Sequence, residues 1–566
     1  MARVLLVNYA GYPYCPSSLM PDNGLATLAG VLRQNGHQAR ILDLATVSVL
    51  RRLYPEWISR RVNPIARALF EEDRRPRWWQ LAQMGVLANV LDRHQARVVN
   101  ELAREVVGEA REFHPDLVGF KLWNGDGFLG SVLMAKQLRR ALPDVTVVAG
   151  GPQVDYFEHH ILDYTDVFDY LAYGDGEDVI APLVEVAAGR RAPADVPNLI
   201  YRRGGQTIKT ARRAVQDLDG VAFPDYSTET YPAMTGDDKL KIVVINESRG
   251  CPFGCYFCIH PVKSGGVWRE ESPGRVVDEI EAVMGAVGTG LFVYAGSNTS
   301  TRVAMGIARE IMDRGLDIRY ACFGHARGLS RADFHTLRRS GCLAVFYGLE
   351  SGSQEILDRS MNKHLKVDEA RNVMSECKRE GIFTIASIIY PSPFETERSR
   401  AETLKLLLEV RPDSVPVTAP GLIPGTPWHT RAAEFGFQVE ESPETWRYAL
   451  TYKIKLLYPP KFWKRLPYSL NGMDSRTLLA TSSEFSSELE RNGILTNVPH
   501  EMVVMAEAAG MDARTFRNRC RTAFFSGDAD AVAGMVSTIN QAAAARCTRI
   551  KRSALPAAGF RAVPGA

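Results

Sequence analysis

Cys251, Cys255 and Cys258 stand in the run Cys251-Pro-Phe-Gly-Cys255-Tyr-Phe-Cys258, a C-x3-C-x2-C spacing shortly after the apolar run Ile242-Val-Val-Ile245. Three thiolates this close can hold three corners of a cubane 4Fe-4S cluster and leave the fourth iron for another ligand. Structural zinc is the competing chemistry. It wants a fourth Cys or His at matching spacing; His260 is near, but no second C-x2-C pair completes a ribbon. A disulfide framework fits poorly, because nine cysteines in 566 residues is an odd and ordinary number with no secretory signal ahead of them. Cys15, Cys322, Cys342, Cys377, Cys520 and Cys547 show no paired spacing, and most of them read as small buried residues.

The elements that must position those thiols come in two alternating series. In the first, residues 3–8 read as a buried strand and Leu25–Arg33 as a helix ending near Asn35-Gly36. Gln38–Asp43 and Asp116–Trp123 read as strands, and the spacing of Val132, Ala135 and Leu138 predicts a helix. Val145–Ala149 is a strand ending in Gly150-Gly151-Pro152, and Phe168–Tyr173 one ending in Gly174-Asp-Gly176-Glu177. Strands alternating with helices imply a doubly wound, Rossmann-like α/β sheet with ligands beyond the carboxyl ends of its strands. Glycines sit at those ends, where backbone must approach a ligand closely.

In the second series, strands Ile242–Ile245, Gly290–Tyr294, Ile318–Phe323, Leu343–Gly348, Phe383–Ile389 and Ser414–Val417 alternate with helices, which predicts a partial (β/α)6 barrel. Chemistry in such a barrel gathers at the carboxyl ends of the strands. Tyr347-Gly348-Leu-Glu350-Ser351-Gly-Ser353, Tyr390-Pro-Ser-Pro-Phe-Glu-Thr396 and Pro424-Gly-Thr-Pro427 follow three of them.

Domain limits follow: 1–185, with a helical insert at about 46–112; a connector, 186–238; the barrel, 239–430; a mostly helical C-terminal cap over the barrel mouth, 431–550; and a disordered Ala/Pro/Gly-rich tail, 551–566. The 68 basic and 65 acidic residues nearly cancel, and no basic block of nucleic-acid type exists beyond pairs such as Arg60-Arg61 and Arg74-Arg75. No stretch of about 18 apolar residues suggests a membrane span. The expectation is a cytoplasmic enzyme acting on a small molecule.

The cysteine spacing resembles that of the radical S-adenosylmethionine (SAM) enzymes. The resemblance implies SAM on the open iron, Phe257 beside its adenine, and the Gly348, Glu350 and Ser351 segment as part of its seat, with a carboxylate to pair with the amine. The fifth strand's end lacks the glycines common in relatives, which leaves its local geometry open. Upstream, the Gly-Leu-Ala helix, Gly150-Gly151-Pro152 and Gly174-Asp-Gly176-Glu177 resemble the cobalamin-binding half of B12-dependent radical SAM enzymes; the likeness covers roughly residues 3–430.

One departure is informative. Many cobalamin domains carry D-x-H-x-x-G after the first strand, and its His binds cobalt from below. Here that loop reads Asn8-Tyr-Ala-Gly-Tyr-Pro-Tyr-Cys15 and has no His. Asp92-Arg-His94 lies in the insert without the following Gly, and His94 reads as a surface residue. The insert also carries Arg60, Arg61, Arg67, Arg74, Arg75, Trp78 and Trp79. Solvated arginines on amphipathic helices are its default reading. The sharper one puts Arg67, amid Pro64-Ile-Ala-Arg-Ala-Leu-Phe70, near the lower face of the corrin as a catalytic residue that tunes the cobalt.

The layout, the lower face without His and the long C-terminal region resemble the tryptophan 2-C-methyltransferases of thiopeptide antibiotic biosynthesis. That resemblance implies a methyl group passing from SAM through methylcobalamin to C2 of the indole of L-tryptophan, without radical cleavage of SAM, and an electron donor that reactivates cobalt. It also implies a protein carboxylate closing the fourth iron. Glu271, in Trp268-Arg-Glu270-Glu271-Ser272, is the first candidate and Glu270 the second; a helix-start pair of acids is the alternative. Two rivals remain: a radical SAM/B12 methylase of an sp3 carbon or phosphinate, and a cobalamin-binding sensor.

Overall fold

The computed structural model describes residues 1–551 apart from 75, 454–456 and 458–461, so Arg75 and the Ala/Pro/Gly-rich tail lie outside the described residues. β1 (Arg3–Asn8) is buried at five consecutive positions, the pattern of a strand covered on both faces. α1 (Asn23–Gln34) starts under Asp22, whose carboxylate accepts from the Leu25 N–H. There follow β2 (Gln38–Asp43), α2 (Val47–Leu53), α3 (Glu56–Phe70), α4 (Trp78–Phe113), β3 (Leu117–Lys121), α5 (Asp126–Ala141), β4 (Thr146–Gly150), α6 (Pro152–Phe157), α7 (His160–Tyr164), β5 (Tyr170–Ala172) and α8 (Glu177–Ala187). The sheet order is β2-β1-β3-β4-β5, all parallel. β6 (Leu199–Arg203) and β7 (Gln206–Lys209) extend it antiparallel, so the expected connector supplies two strands. The order reverses between β1 and β3, the switch point where doubly wound sheets bind ligands.

The insert holds three helices, α2 to α4. α3 begins at Glu56 and carries Pro64 in its interior. Connector and first domain interlock closely. A Cβ at Gly30 of α1 would stand 2.1 Å from the Phe223 carbonyl, so only glycine admits the crossing.

The barrel comprises β8 (Val243–Ile245), β9 (Ser248–Arg249), α9 (His260–Lys263), β10 (Arg269–Glu270), α10 (Pro273–Val287), β11 (Leu291–Tyr294), α11 (Thr301–Asp313), β12 (Arg319–Gly324), α12 (Arg331–Arg339), β13 (Cys342–Glu350), α13 (Val367–Arg379), β14 (Phe383–Ile389), α14 (Glu397–Val410), β15 (Ser414–Val415) and β16 (Val417–Thr418). Ser300, Ser330 and Thr396 cap α11, α12 and α14 with side-chain oxygens on backbone N–H groups. The open parallel sheet runs β8-β11-β12-β13-β14-β15 and gains a further parallel strand, β20 (Leu495–Thr496), from the C-terminal region.

The rest of that region joins a small sheet to a run of helices. After α15 (Pro427–Thr430), strands β17 (Phe437–Val439), β18 (Tyr468–Leu470) and β19 (Met473–Asp474) make a small sheet. Its core of Trp428, Phe437 and Leu470 packs against Tyr256 and Phe257 of the cysteine loop. α16 (Pro443–Leu450) docks on α7, with Trp446 stacked 4.4 Å from His160. α17 (Ser475–Arg491) leads to β20. α18 (His500–Ala508) then enters the barrel against β11, β12 and β13, while α19 (Ala513–Ser526) and α20 (Ala529–Lys551) pack on α3 and α2. The reason is apolar burial: Met502, Val503 and Met505 join the inward Val293, Ala321, Ala344 and Ile385 in one core with the first domain. No helix among the described residues is long and apolar enough to cross a membrane.

Candidate active site

The carboxyl ends of both sheets face one cleft of about 420 Å³. Leu28, Gly119, Val148, Ile180 and Leu183 give it a deep apolar floor. Gly150, Gly151, Pro152, Gly174, Gly176 and Glu177 line its wall, and Asn246, Ser248, Arg249, His260 and Lys263 roof it from the barrel. At Gly151, φ is +95° and a Cβ would stand 3.0 Å from Lys121 Cγ, so glycine keeps the wall open. A flat, largely apolar group with a polar rim fits this slot, as the nucleotide tail of cobalamin requires.

Ion pairs fasten the roof to the wall. Arg249 Nη2 lies 2.7 Å from Glu177 Oε1, and Arg269 Nη1 lies 2.6 Å from Asp175 Oδ2. Lys263 Nζ stands 3.2 Å from Asp155 Oδ2. Arg249 is two residues before Cys251, so the same pairs that close the cleft hold the cysteine loop.

That loop is braced from three sides. Tyr256 N–H donates to Met361 O at 2.9 Å, Asn362 Nδ2 to Gly254 O at 2.9 Å, and Trp428 N–H to Tyr256 O at 3.0 Å. Burial pushes all three thiols up, Cys258 to about 11, so a bound metal's positive charge would be what makes them thiolates. A tetrahedral zinc with bonds of about 2.3 Å needs its sulfurs roughly 3.8 Å apart. Among the described residues, the one group of three or more ligand types within 4.8 Å is His159, His160 and Asp163; the cysteines form no such group, with or without His260. His260 Nδ1 instead lies 2.9 Å from Ser297 Oγ. The wider spread of thiols fits a cubane better than one zinc ion.

Glu350 reaches the same place. β13 shifts register against β14 between Gly348 and Glu350, and Glu350 takes φ +68°. Bulges of this kind re-aim a side chain. Its carboxylate meets Lys363 Nζ at 3.2 Å and accepts from Ser387 Oγ at 3.3 Å. A Cβ on Gly348 would stand 2.6 Å from Glu350 Oε1 and 2.9 Å from Lys363 Nζ, so that glycine makes room for the pair. Lys363 Nζ also stands 5.6 Å from the centroid of the Phe257 ring. Ser351 turns away: its hydroxyl lies 3.1 Å from Thr403 Oγ1 on α14.

Three candidate residues have other partners. Glu271 is buried, but its charged neighbours are Glu279, Arg275, Arg249 and Asp219, and burial with the Glu279 charge holds its carboxyl above the usual range. The Glu271 N–H donates to Glu247 O beside the β9–β10 ladder, and two of its charged neighbours, Arg275 and Glu279, lie on α10. Glu270 accepts from Ser300 N–H and Oγ. Arg67 has a side chain 61% exposed, 3.9 Å from Glu71, in a groove between α3, α19 and α20. It lies on the side of α3 that faces α19 and α20, and the lining of the strand-end cleft does not include it. Arg60, Arg61 and Arg74 are paired surface residues with Glu56, the Trp57 ring and Glu72; Trp78 is 81% exposed and Trp79 46%. His94 Nε2 lies 2.8 Å from Arg52 O, inside the insert. Lys363, Asp175 and the arginine clasps escaped the sequence reading. Arg249, beside the first cysteine, was the one visible signal.

Residues 245–407 match the Radical SAM superfamily and residues 81–184 the B12 binding domain. An uncharacterized methyltransferase of Pyrococcus horikoshii is 24% identical over 60% of this chain and 74% of its own length. The anaerobic magnesium-protoporphyrin IX monomethyl ester cyclase of Cereibacter sphaeroides is 25% identical over 54% of this chain and 51% of its own. The cobalamin-dependent radical SAM methyltransferase TokK of Streptomyces tokunonensis is 25% identical over 59% and 50%. The chain thus spans three quarters of the first relative and about half of the other two. The solved structure of TsrM from Kitasatospora setae, with cobalamin and a 4Fe-4S cluster bound, shares the fold with TM-score 0.61 at 16% identity, over 94% of this chain and 99% of that one. With a B12 binding domain and a radical SAM domain meeting at one cleft, the chain is a cobalamin-dependent radical SAM methyltransferase.

Proposed function

We propose that this enzyme methylates C2 of the indole of L-tryptophan, with SAM as methyl source and no radical cleavage of SAM. The observation that carries the common path is the clasp between Arg249 and Glu177, which sets the cleft for the cobalamin tail against the loop of Cys251, Cys255 and Cys258. Cobalamin, when bound, supplies a methyl carrier able to reach a carbon that ordinary methyltransferases do not attack. The protein's own part is binding and placement. Cys251, Cys255 and Cys258 hold the cluster; Glu350, steadied by Lys363 and Ser387, pairs with the SAM amine; Gly150, Gly151, Gly174 and Gly176 admit the cobalamin tail; Phe257 packs near adenine. Choice of tryptophan is supported by the likeness over nearly the whole chain to TsrM, whose structure has also been solved with tryptophan substrate and a SAM analogue bound. A nucleophilic ring carbon takes a methyl group without prior hydrogen abstraction.

A second reading has one observation in its favour. Glu270 is held by Ser300, and Glu271 sits among Glu279, Arg275, Arg249 and Asp219; with both carboxylates so engaged the fourth iron is left for SAM, which suits radical methylation of an sp3 carbon. Anaerobic enzyme with cobalamin, SAM and L-tryptophan tests the proposal. Formation of 2-methyltryptophan supports it; its absence under turnover conditions sinks it.

A further inference from the structure

His500 opens α18 inside the barrel, and neither of its ring nitrogens has a hydrogen-bond partner although the residue is only 6% exposed. Nδ1 lies 3.3 Å from Glu501 Oε2, but out of hydrogen-bonding geometry. An imidazole left this way is disfavoured, and a buried polar group without a partner asks for an explanation. Its surroundings are aromatic. The Phe323 ring lies 4.4 Å from the imidazole and the Phe346 ring 5.7 Å, and the two phenyl rings meet edge to face at 5.3 Å.

Their height in the barrel matters. Phe323 and Phe346 are partners across the β12–β13 ladder. The next inward residue on β13 is Gly348, partnered with Ser387, the pair beneath Glu350 and Lys363. Inward positions on one strand are about 6.6 Å apart. The aromatic trio therefore forms the floor directly below the SAM seat. Phe323 is also 39% exposed, and no other barrel-strand residue stands among the exposed large apolar side chains.

We infer that Phe323, Phe346 and His500 form the substrate's ring recess, selective for a flat heteroaromatic ring that carries a polar ring atom such as the indole N–H. Phe323 is its movable cover. Rotation of that side chain uncovers the imidazole edge; the incoming ring takes over the stacking, and its N–H donates to a His500 nitrogen. Burial draws the His500 pKa down to about 4, which keeps the imidazole neutral and able to accept at neutral pH. This inference rests on the aromatic-substrate reading above and adds the residues that would select the ring.

Equilibrium dialysis of indole and of 1-benzothiophene against enzyme loaded with cluster and cobalamin tests it without turnover. The two rings share shape, and only indole has the N–H. Wild type should hold indole roughly three- to tenfold more tightly, the worth of one hydrogen bond. His500→Phe should level the two, His500→Gln should keep part of the preference, and Phe323→Leu should weaken both alike. Iron and cobalamin content reports whether each variant is folded. Equal binding of the two rings by wild type, which needs no variant, overturns the inference, as does an unchanged preference in folded His500→Phe. The two readings can fail separately. Tryptophan methylation with a KM indifferent to His500→Phe removes the recess and leaves the activity; His500-dependent indole binding without methylation of tryptophan does the reverse.

Discussion

Arg249 Nη2 and Glu177 Oε1, 2.7 Å apart, join the residue two before Cys251 to the first residue of α8, at the wall of the cleft between the two sheets. Both side chains are less than one-fifth exposed. Removing one partner of such a pair leaves an unmatched charge, a loss on the order of 3 kcal/mol or more. Arg249→Met should therefore weaken two cofactors at once. Cobalamin retention on gel filtration and iron content after reconstitution should both fall several-fold. Loss of one with the other intact would show that the pair braces only a single loop.

The cluster itself gives the simplest expectation. Reconstituted enzyme should carry about four irons per chain. Replacing Cys251, Cys255 and Cys258 together with Ala should abolish the iron and the brown colour, measured by iron assay and visible absorbance. Full iron in that variant would remove the cysteines from the account.

Cobalt should have no histidine beneath it. The loop after β1 contains none, and His94 is spoken for by Arg52 O within the insert. Electron paramagnetic resonance of the Co(II) form should lack superhyperfine splitting from a protein nitrogen, and His94→Ala should leave the spectrum unchanged. Arg67→Ala should leave it unchanged too, since that residue faces the groove between α3, α19 and α20.

Glu247 sets a pH dependence. It is 1% exposed, accepts from Gly296 N–H and Thr299 Oγ1, and burial raises its pKa to about 7. Because the folded value lies above the unfolded one, the folded state holds a proton that the unfolded state has released. Stability from this group is full below about pH 4.5, falls as pH rises through about 7 and is flat above. A shift of this size is worth on the order of 3 kcal/mol. Glu247→Gln should match wild type in thermal unfolding near pH 5 and exceed it near pH 8. Parallel curves across that window would contradict the assignment.

The sheets were legible because their strands are short apolar runs buried by the helices around them; β14, for instance, has the bounds that the apolar run indicates. β20 was not, since Leu495-Thr496 is a two-residue strand set by its neighbour β15 and not by its own composition. Among site residues, the local motif of three cysteines could be read directly. Glu271 could not be placed, because its direction depends on the short β9–β10 ladder and on Arg275 and Glu279 of α10. Lys363 and His500 are single residues remote in sequence from the cysteines, and only the fold brings them to Glu350 and to Phe323.

Methyl transfer to an aromatic carbon without radical cleavage of SAM is tested by product stoichiometry with trideuteromethyl-SAM, L-tryptophan, cobalamin and strong reductant under anaerobic conditions, read by mass spectrometry. The expected products are 2-methyltryptophan carrying the three deuterium atoms, S-adenosylhomocysteine in equal amount, and little 5′-deoxyadenosine. One 5′-deoxyadenosine for each methylated product would contradict it.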